Sequence, residues 1–350
     1  MDSENPSAAA EQRPVVFVHT NAKQRLGALV SARSFRRNAR NPGAFDVRLI
    51  EADRCAPLRA AEGRTFLRAG HSRVWRMDDL QSFTPLRFAV PDAKDRRGVA
   101  LVVDPDVFAA GDAGELFARD RQGKAIWCRA RPGHNGAPDY LASSVMLLDC
   151  AKLPHWRFEE RLDDLFAGRL DYVDWIELKT EPRGTIGLLG PEWNDFDRLT
   201  PETRLLHTTK RRTQPWKTGL PVDFTLRERG YGPIPAALVR PVLRLWTARN
   251  RYKPHPDPNQ EAYFFALLAE CLDLGEVTRA EVEDGIRQRH IRPDALALAE
   301  RCRGRFWPAA SADRAAARVR RLLETPPPSA RTGRGGAPPV RARPGGCGAA

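Results

Sequence analysis

Two aspartates one residue apart, Asp104 and Asp106, close the run Val99-Ala100-Leu101-Val102-Val103 and flank Pro105. An apolar run of this length reads as a buried strand, and open α/β sheets gather ligands beyond the carboxyl ends of their strands. The fixed φ of Pro105 holds the backbone extended, so the two carboxylates can converge on one cation. Hard oxygen donors suit magnesium or manganese, which in turn bridge to phosphate oxygens. The other reading of the pair is a solvated loop whose acids cap the next turn. Far downstream, His207 heads the run His207-Thr208-Thr209-Lys210-Arg211-Arg212-Thr213-Gln214-Pro215-Trp216-Lys217. An imidazole can complete a manganese site, and clustered cations can hold a diphosphate. A basic run of this kind also suits a solvated face or a nucleic-acid patch.

The elements that must position these residues alternate between strand and helix. Val15 to His19 reads as a strand and Lys23 to Ala39 as a helix, with Leu26, Leu29, Val30 and Phe35 at roughly helical spacing. Phe45 to Ile50, Gly98 to Val103, Lys124 to Cys128 and Ser144 to Leu148 read as further strands. Continuous apolar strands between helices predict an α/β fold whose mainly parallel central sheet is covered on both faces. The chain has no G-x-G-x-x-G and no G-x-x-x-x-G-K-[ST], which disfavours a dinucleotide fold and a P-loop NTPase.

The 350 residues suffice for one large domain and a smaller one. Residues 1–13 are polar and expected to be loose, 14–225 form the α/β domain, and 226–325 are helical. Within the helical region, Asn259 is expected to cap a helix stopping at Gly275. Thr278-Arg279-Ala280-Glu281 forms a capping box, Pro293-Asp294 opens a further helix, and Ser311 caps the last one. Residues 326–350 are rich in Pro, Gly and Arg without an acid, and are expected to be disordered. No apolar run approaches the ~20 residues of a membrane span. The start lacks the basic and apolar regions of a secretory signal, and the six scattered cysteines form no C-x-x-C pair. Together these predict a cytoplasmic protein with reduced thiols. A net charge of +13 attracts polyanions: nucleic acid, an anionic inner membrane face or a diphosphate.

In ordered motifs from about Val15 to Pro221, the chain resembles glycosyltransferase family eight, the group of glycogenin and the lipopolysaccharide galactosyltransferases. His19-Thr20-Asn21 matches the family's nucleoside-binding loop. Ser82-Phe83-Thr84-Pro85-Leu86-Arg87-Phe88 matches its arginine-containing helix, with Arg87 on the donor side. Asp104-Pro105-Asp106 followed by Gly111-Asp112-Ala113-Gly114-Glu115-Leu116-Phe117 matches its metal strand. The family strand near the sugar corresponds to Ala142 through Asp149, with Ser143 in place of asparagine. His207 precedes Gln214-Pro215-Trp216-Lys217 where the family has a histidine ligand upstream of Lys-Pro-Trp; Gln214 replaces the lysine, and the loop is one residue longer.

The resemblance implies the GT-A nucleotide-diphospho-sugar transferase fold, with a helical C-terminal extension. It implies a retaining, metal-dependent transfer of a hexose from a nucleotide-sugar, a UDP-sugar first, to a glycan, lipid or protein acceptor. Asp104, Asp106 and His207 would hold Mn2+ or Mg2+. His19, Thr20, Asn21, Arg87, Ser143, Ser144, Lys210 and Lys217 would bind the donor, with a lysine of the loop standing in for the one lost at Gln214. Asp174, in Asp174-Trp175-Ile176-Glu177-Leu178, would join Arg87 on the catalytic face, though Trp175 occupies the family's glutamine position. Three rival readings are a catalytically inactive GT-A module, a basic nucleic-acid-binding protein and a nucleotidyltransferase. No helix-turn-helix, zinc finger or RNP signature supports specific nucleic-acid binding, and no Gly-rich loop after the first strand supports the last.

Overall fold

The computed structural model describes residues 13–133, 139–224 and 250–305, together with residues 242, 245 and 249. Residues 1–12, nearly all of 225–248 at the start of the expected helical stretch, the helix expected from Ser311 and the 326–350 tail lie outside them.

The strands in chain order are β1 (Val15–Thr20), β2 (Asp46–Glu51), β3 (Thr65–Arg68), β4 (His71–Val74), β5 (Val99–Val103) and β6 (Val107–Ala109). β7 (Ile126–Arg131), β8 (Tyr140–Asp149), β9 (Ile186–Leu188), β10 (Asp195–Phe196) and β11 (Leu205–His207) follow. Six of them form the central sheet in the order β2-β1-β5-β8-β7-β9. β2, β1 and β5 run parallel, as do β7 and β9, so the sheet is mainly parallel as the apolar runs predict. β8 departs from that reading, pairing antiparallel with both β5 and β7. Its apolar run alone carries no direction. The connection from Arg131 to Tyr140 is too short for a parallel crossover, which takes a dozen residues or more.

Helices cover both faces of the sheet, which explains strands that are apolar throughout. On one face, Ala28, Ala32 and Phe35 of α1 (Arg25–Asn38) pack on Val16, Val18, Leu101 and Val103. On the other, Leu162 and Leu165 of α2 (Phe158–Phe166) and Trp175 of α3 (Tyr172–Ile176) close over Phe17, Val102, Met146 and Leu148. A second sheet of three strands, β10-β11-β6, lies beside the first; β3 and β4 form a separate ribbon.

The C-terminal helices share a core with the α/β part. Phe264 and Phe265 of α4 (Pro258–Asp273) join one apolar cluster with Val30 of α1, Phe108 of β6 and Leu206 of β11. Asp257, rather than Asn259, caps α4, because Pro258 suits the first helical position and has no N–H to offer. Gly275 follows α4 at a φ of 69°, the left-handed conformation that ends helices. The capping box of Thr278 and Glu281 opens α5 (Arg279–Arg287), and α6 (Ala295–Cys302) follows Asp294. No helix among the described residues is long and apolar enough to cross a membrane.

Candidate functional site

The chain leaves the central sheet at Val103 and enters the second sheet at Val107, so Asp104-Pro105-Asp106 is the crossover between the two. β11 pairs antiparallel with β6 and sets His207 opposite Val107, one residue from Asp106. That register is why two stretches so far apart in sequence share one cleft. One ligand atom each from Asp104, Asp106 and His207 lies within 4.8 Å of the others. α1 approaches this crossover closely: a Cβ on Gly27 would stand 3.3 Å from the Pro105 carbonyl oxygen.

Hydrogen bonding defines the imidazole. Asn194 Nδ2 donates to Ser144 Oγ at 3.1 Å, which turns Asn194 Oδ1 toward His207 Nδ1 at 2.8 Å. Nδ1 then carries the proton, and Nε2 presents its lone pair 3.3 Å from Asp106 Oδ1. Two acceptors face one another there, an arrangement relieved by a proton or a cation between them. Two carboxylates and a neutral imidazole also form a donor set that suits a divalent metal. The residues present therefore fit the metal that the family resemblance implies.

Asp104 is nearly buried. Burial works against its charge, but the Arg87 guanidinium and the His19 hydrogen bond outweigh it and hold the carboxyl well below the usual carboxylate range. Arg87 Nη2 reaches both oxygens, at 2.6 and 2.5 Å, and Nε reaches Oδ1 at 3.0 Å. His19 Nε2 stands 2.7 Å from Oδ1. Burial lowers the His19 pKa, and among the described residues its Nδ1 has no partner. Among the described residues Oδ2 accepts from Arg87 alone, leaving it a lone pair for a cation. Arg87 Nη1 also donates to Ser143 Oγ at 2.7 Å, and Ser143 donates onward to the Ile176 carbonyl. Ser143 and Ser144 face these partners because pairing between β7 and β8 jumps from Cys128↔Met146 to Arg129↔Ala142, a bulge that leaves both serines unpaired on β7.

The remaining expected site residues bond to partners outside this cluster. Thr20 Oγ1 donates to the neighbouring Asn21 carbonyl; Asn21 Oδ1 accepts from Gln24 N in its own turn, and Nδ2 donates across to the Asp79 carbonyl and Ser82 Oγ. Lys210 is exposed, and its backbone N–H donates to Asp197. Lys217 is fully buried, with Nζ 2.5 Å from Asp223 Oδ2, and burial lowers its pKa against that pairing. Asp174 is half exposed on α3 and pairs with Lys179 at 3.0 Å. Trp216 is buried between Phe108 and Phe264, anchoring the end of the His207 loop to β6 and α4.

Two residues that touch the cluster have no expected role there. Asn194 orients His207, and nothing around it in the sequence separates it from an ordinary buried asparagine. Gln214 stands out in sequence only as a missing lysine; in the structure its Nε2 donates to Asp106 Oδ2 at 3.2 Å. The described cysteines take no part. Burial pushes the thiols of Cys128 and Cys150 up to about 12, so both stay neutral.

No protein-family model matches this chain, and no curated protein matches it in sequence. Solved structures do. The bifunctional glycosyltransferase WbbM aligns with 62% of this chain and 48% of its own, at 11% identity and a TM-score of 0.41. The glycosyltransferase GlyE of Streptococcus pneumoniae TIGR4 aligns with 70% of this chain and 66% of its own, at 18% identity and a TM-score of 0.41. The galactosyltransferase LgtC, solved with donor and acceptor sugar analogs, aligns with 66% of this chain and 95% of its own, at 14% identity and a TM-score of 0.39. This chain thus spans about half of WbbM and just under two thirds of GlyE, and likeness at this level carries no inference about chemistry.

Proposed function

We propose that this chain is a metal-dependent GT-A glycosyltransferase that moves a hexose from a UDP-sugar to a glycan, lipid or protein acceptor, with retention. The observation that carries this reading is the convergence of Asp104, Asp106 and the lone pair of His207 Nε2 in one cleft at the carboxyl end of β5. The ordered motifs of the sequence support it independently. Manganese or magnesium, when bound by these three residues, neutralises charge on a departing diphosphate.

The chain's own residues prepare that site. Arg87 keeps Asp104 ionised despite its burial, and Asn194 keeps the His207 lone pair on the cleft side. Ser143 fixes Arg87 from behind, so the guanidinium and the carboxylate form one rigid unit. Gln214 holds Asp106 without adding charge. Basic side chains of the 210–212 segment lie next in sequence for the electrostatic work on a donor diphosphate.

Isothermal titration of UDP with and without manganese tests this. Manganese should tighten UDP binding, and Asp106→Ala and His207→Ala should each weaken the UDP–manganese complex tenfold or more. Wild-type affinity in either variant overturns the assignment. A second reading, a GT-A module that binds without transferring, is favoured by one observation: Gln214 is neutral and Lys217 is committed to Asp223. Donor hydrolysis, assayed across several nucleotide-sugars, separates the two readings; none at all favours the second.

A further inference from the structure

The carboxyl end of β7 carries two arginines that the proposed donor site does not use. Arg129 and Arg131 both stack on the ring of Phe196, their guanidinium carbons 4.4 and 4.5 Å from its centroid. Phe196 in turn packs on the His207 ring, with centroids 5.6 Å apart. Arg129 donates to the Asn194 carbonyl at 2.5 Å, the backbone of the residue that orients His207. Among the described residues neither guanidinium forms an ion pair, and the Arg131 side chain makes no hydrogen bond. Burial and the like charges of Arg131 and Arg198 depress the Arg129 pKa, against which Asp195 and Glu192 only partly compensate. Stacking on an aromatic ring holds a guanidinium in place without consuming its N–H donors. Two half-buried guanidiniums thus stand without an ion pair one ring away from the candidate metal ligand, Arg129 spending Nη1 on the Asn194 and Pro191 carbonyls and Arg131 keeping its whole fork open.

We propose that Arg129 and Arg131 form an anion-binding subsite for the acceptor, which therefore carries a phosphate or a carboxylate. This rests on the sugar-transfer reading. A donor diphosphate belongs to the cluster of Asp104, Asp106 and His207; the arginines stand on β7, a different strand, with Phe196 packed against both them and His207. Planar forks of this kind match the two oxygens of either anion, and a half-buried setting strengthens the pairing.

The test titrates wild-type protein, saturated with UDP and manganese, with glucose 6-phosphate, glucuronate and neutral methyl glucoside, and repeats this with Arg131→Met. At least one anionic sugar should bind tenfold or more tighter than methyl glucoside. The stronger of the two identifies the anion. Arg131→Met should lose that preference while binding UDP–manganese as the wild type does. Equal binding of all three sugars to wild type overturns the proposal, and so does a preference that survives Arg131→Met. Anion binding that disappears on saturation with UDP also overturns it, because the arginines then serve the donor. If Arg131→Met fails to melt cooperatively, Arg131→Gln is read by the same criteria. UDP–manganese binding reports on the sugar-transfer reading and anion preference on this one, so the two failures are distinguishable.

Discussion

Arg87 spends its guanidinium on Asp104 and Ser143, and this pairing decides the charge state of the candidate site. Breaking a buried ion pair by removing one partner costs about 3–5 kcal/mol, because the other charge is left uncompensated. Arg87→Met should therefore lower stability at pH 7 by about 3 kcal/mol in urea unfolding. The pH dependence has a definite sign. The wild-type carboxyl sits below its ordinary value, so its contribution is complete above about pH 4 and is lost as pH falls toward the folded-state value. Without Arg87, burial dominates and raises the carboxyl, so the variant should regain part of the lost stability on acidification from pH 7 to pH 5. A pH-independent deficit would contradict this account of Asp104. At this scale the sequence shows the acid pair and the distant histidine, because both lie in recognisable local patterns. It does not show that Lys217 pairs with Asp223, or that Asn194 sets the His207 tautomer. Both depend on contacts made only when separate segments meet.

Among the elements, β9 is held by a close approach. A Cβ on Gly187 would fall 2.4 Å from the Trp127 ring, which also carries the Arg119 guanidinium 4.2 Å from its centroid. The indole is buried in the core and packed by Arg119, so it has little room to yield. Gly187→Ala should destabilise the protein by about 1–3 kcal/mol through overpacking, visible as a lowered thermal midpoint. An unchanged midpoint would mean that the edge strand moves freely. Strands β1, β5 and β7 and helix α1 were legible because each has one dominant period over enough residues. The direction of β8 was not, since a fully buried strand reads the same either way. Its bulge was equally hidden, although it turns Ser143 and Ser144 toward Arg87 and Asn194.

Over the whole molecule, one apolar core crosses the boundary expected near residue 225. Phe264 stacks on Trp216 with centroids 4.8 Å apart and meets Phe108 edge-on at 5.7 Å, so α4 braces both the His207 loop and β6. Phe264→Ala should cost about 3–5 kcal/mol and shift a single calorimetric unfolding transition to lower temperature. Two separate transitions, with only one affected, would show that the C-terminal helices fold independently. The composition anticipates helices in this region but not that they complete the core beneath the site. Hydrophobic pattern shows that a face is buried, not what covers it.

The central claim is that Asp104, Asp106 and His207 grip one divalent cation. Crystals grown with UDP and manganese, with diffraction recorded for the anomalous signal of the metal, test it most directly. The account predicts one strong anomalous peak within coordination distance of Asp104, Asp106 and Nε2 of His207. A map with no peak there, or with the imidazole turned away from the only manganese found, would contradict it.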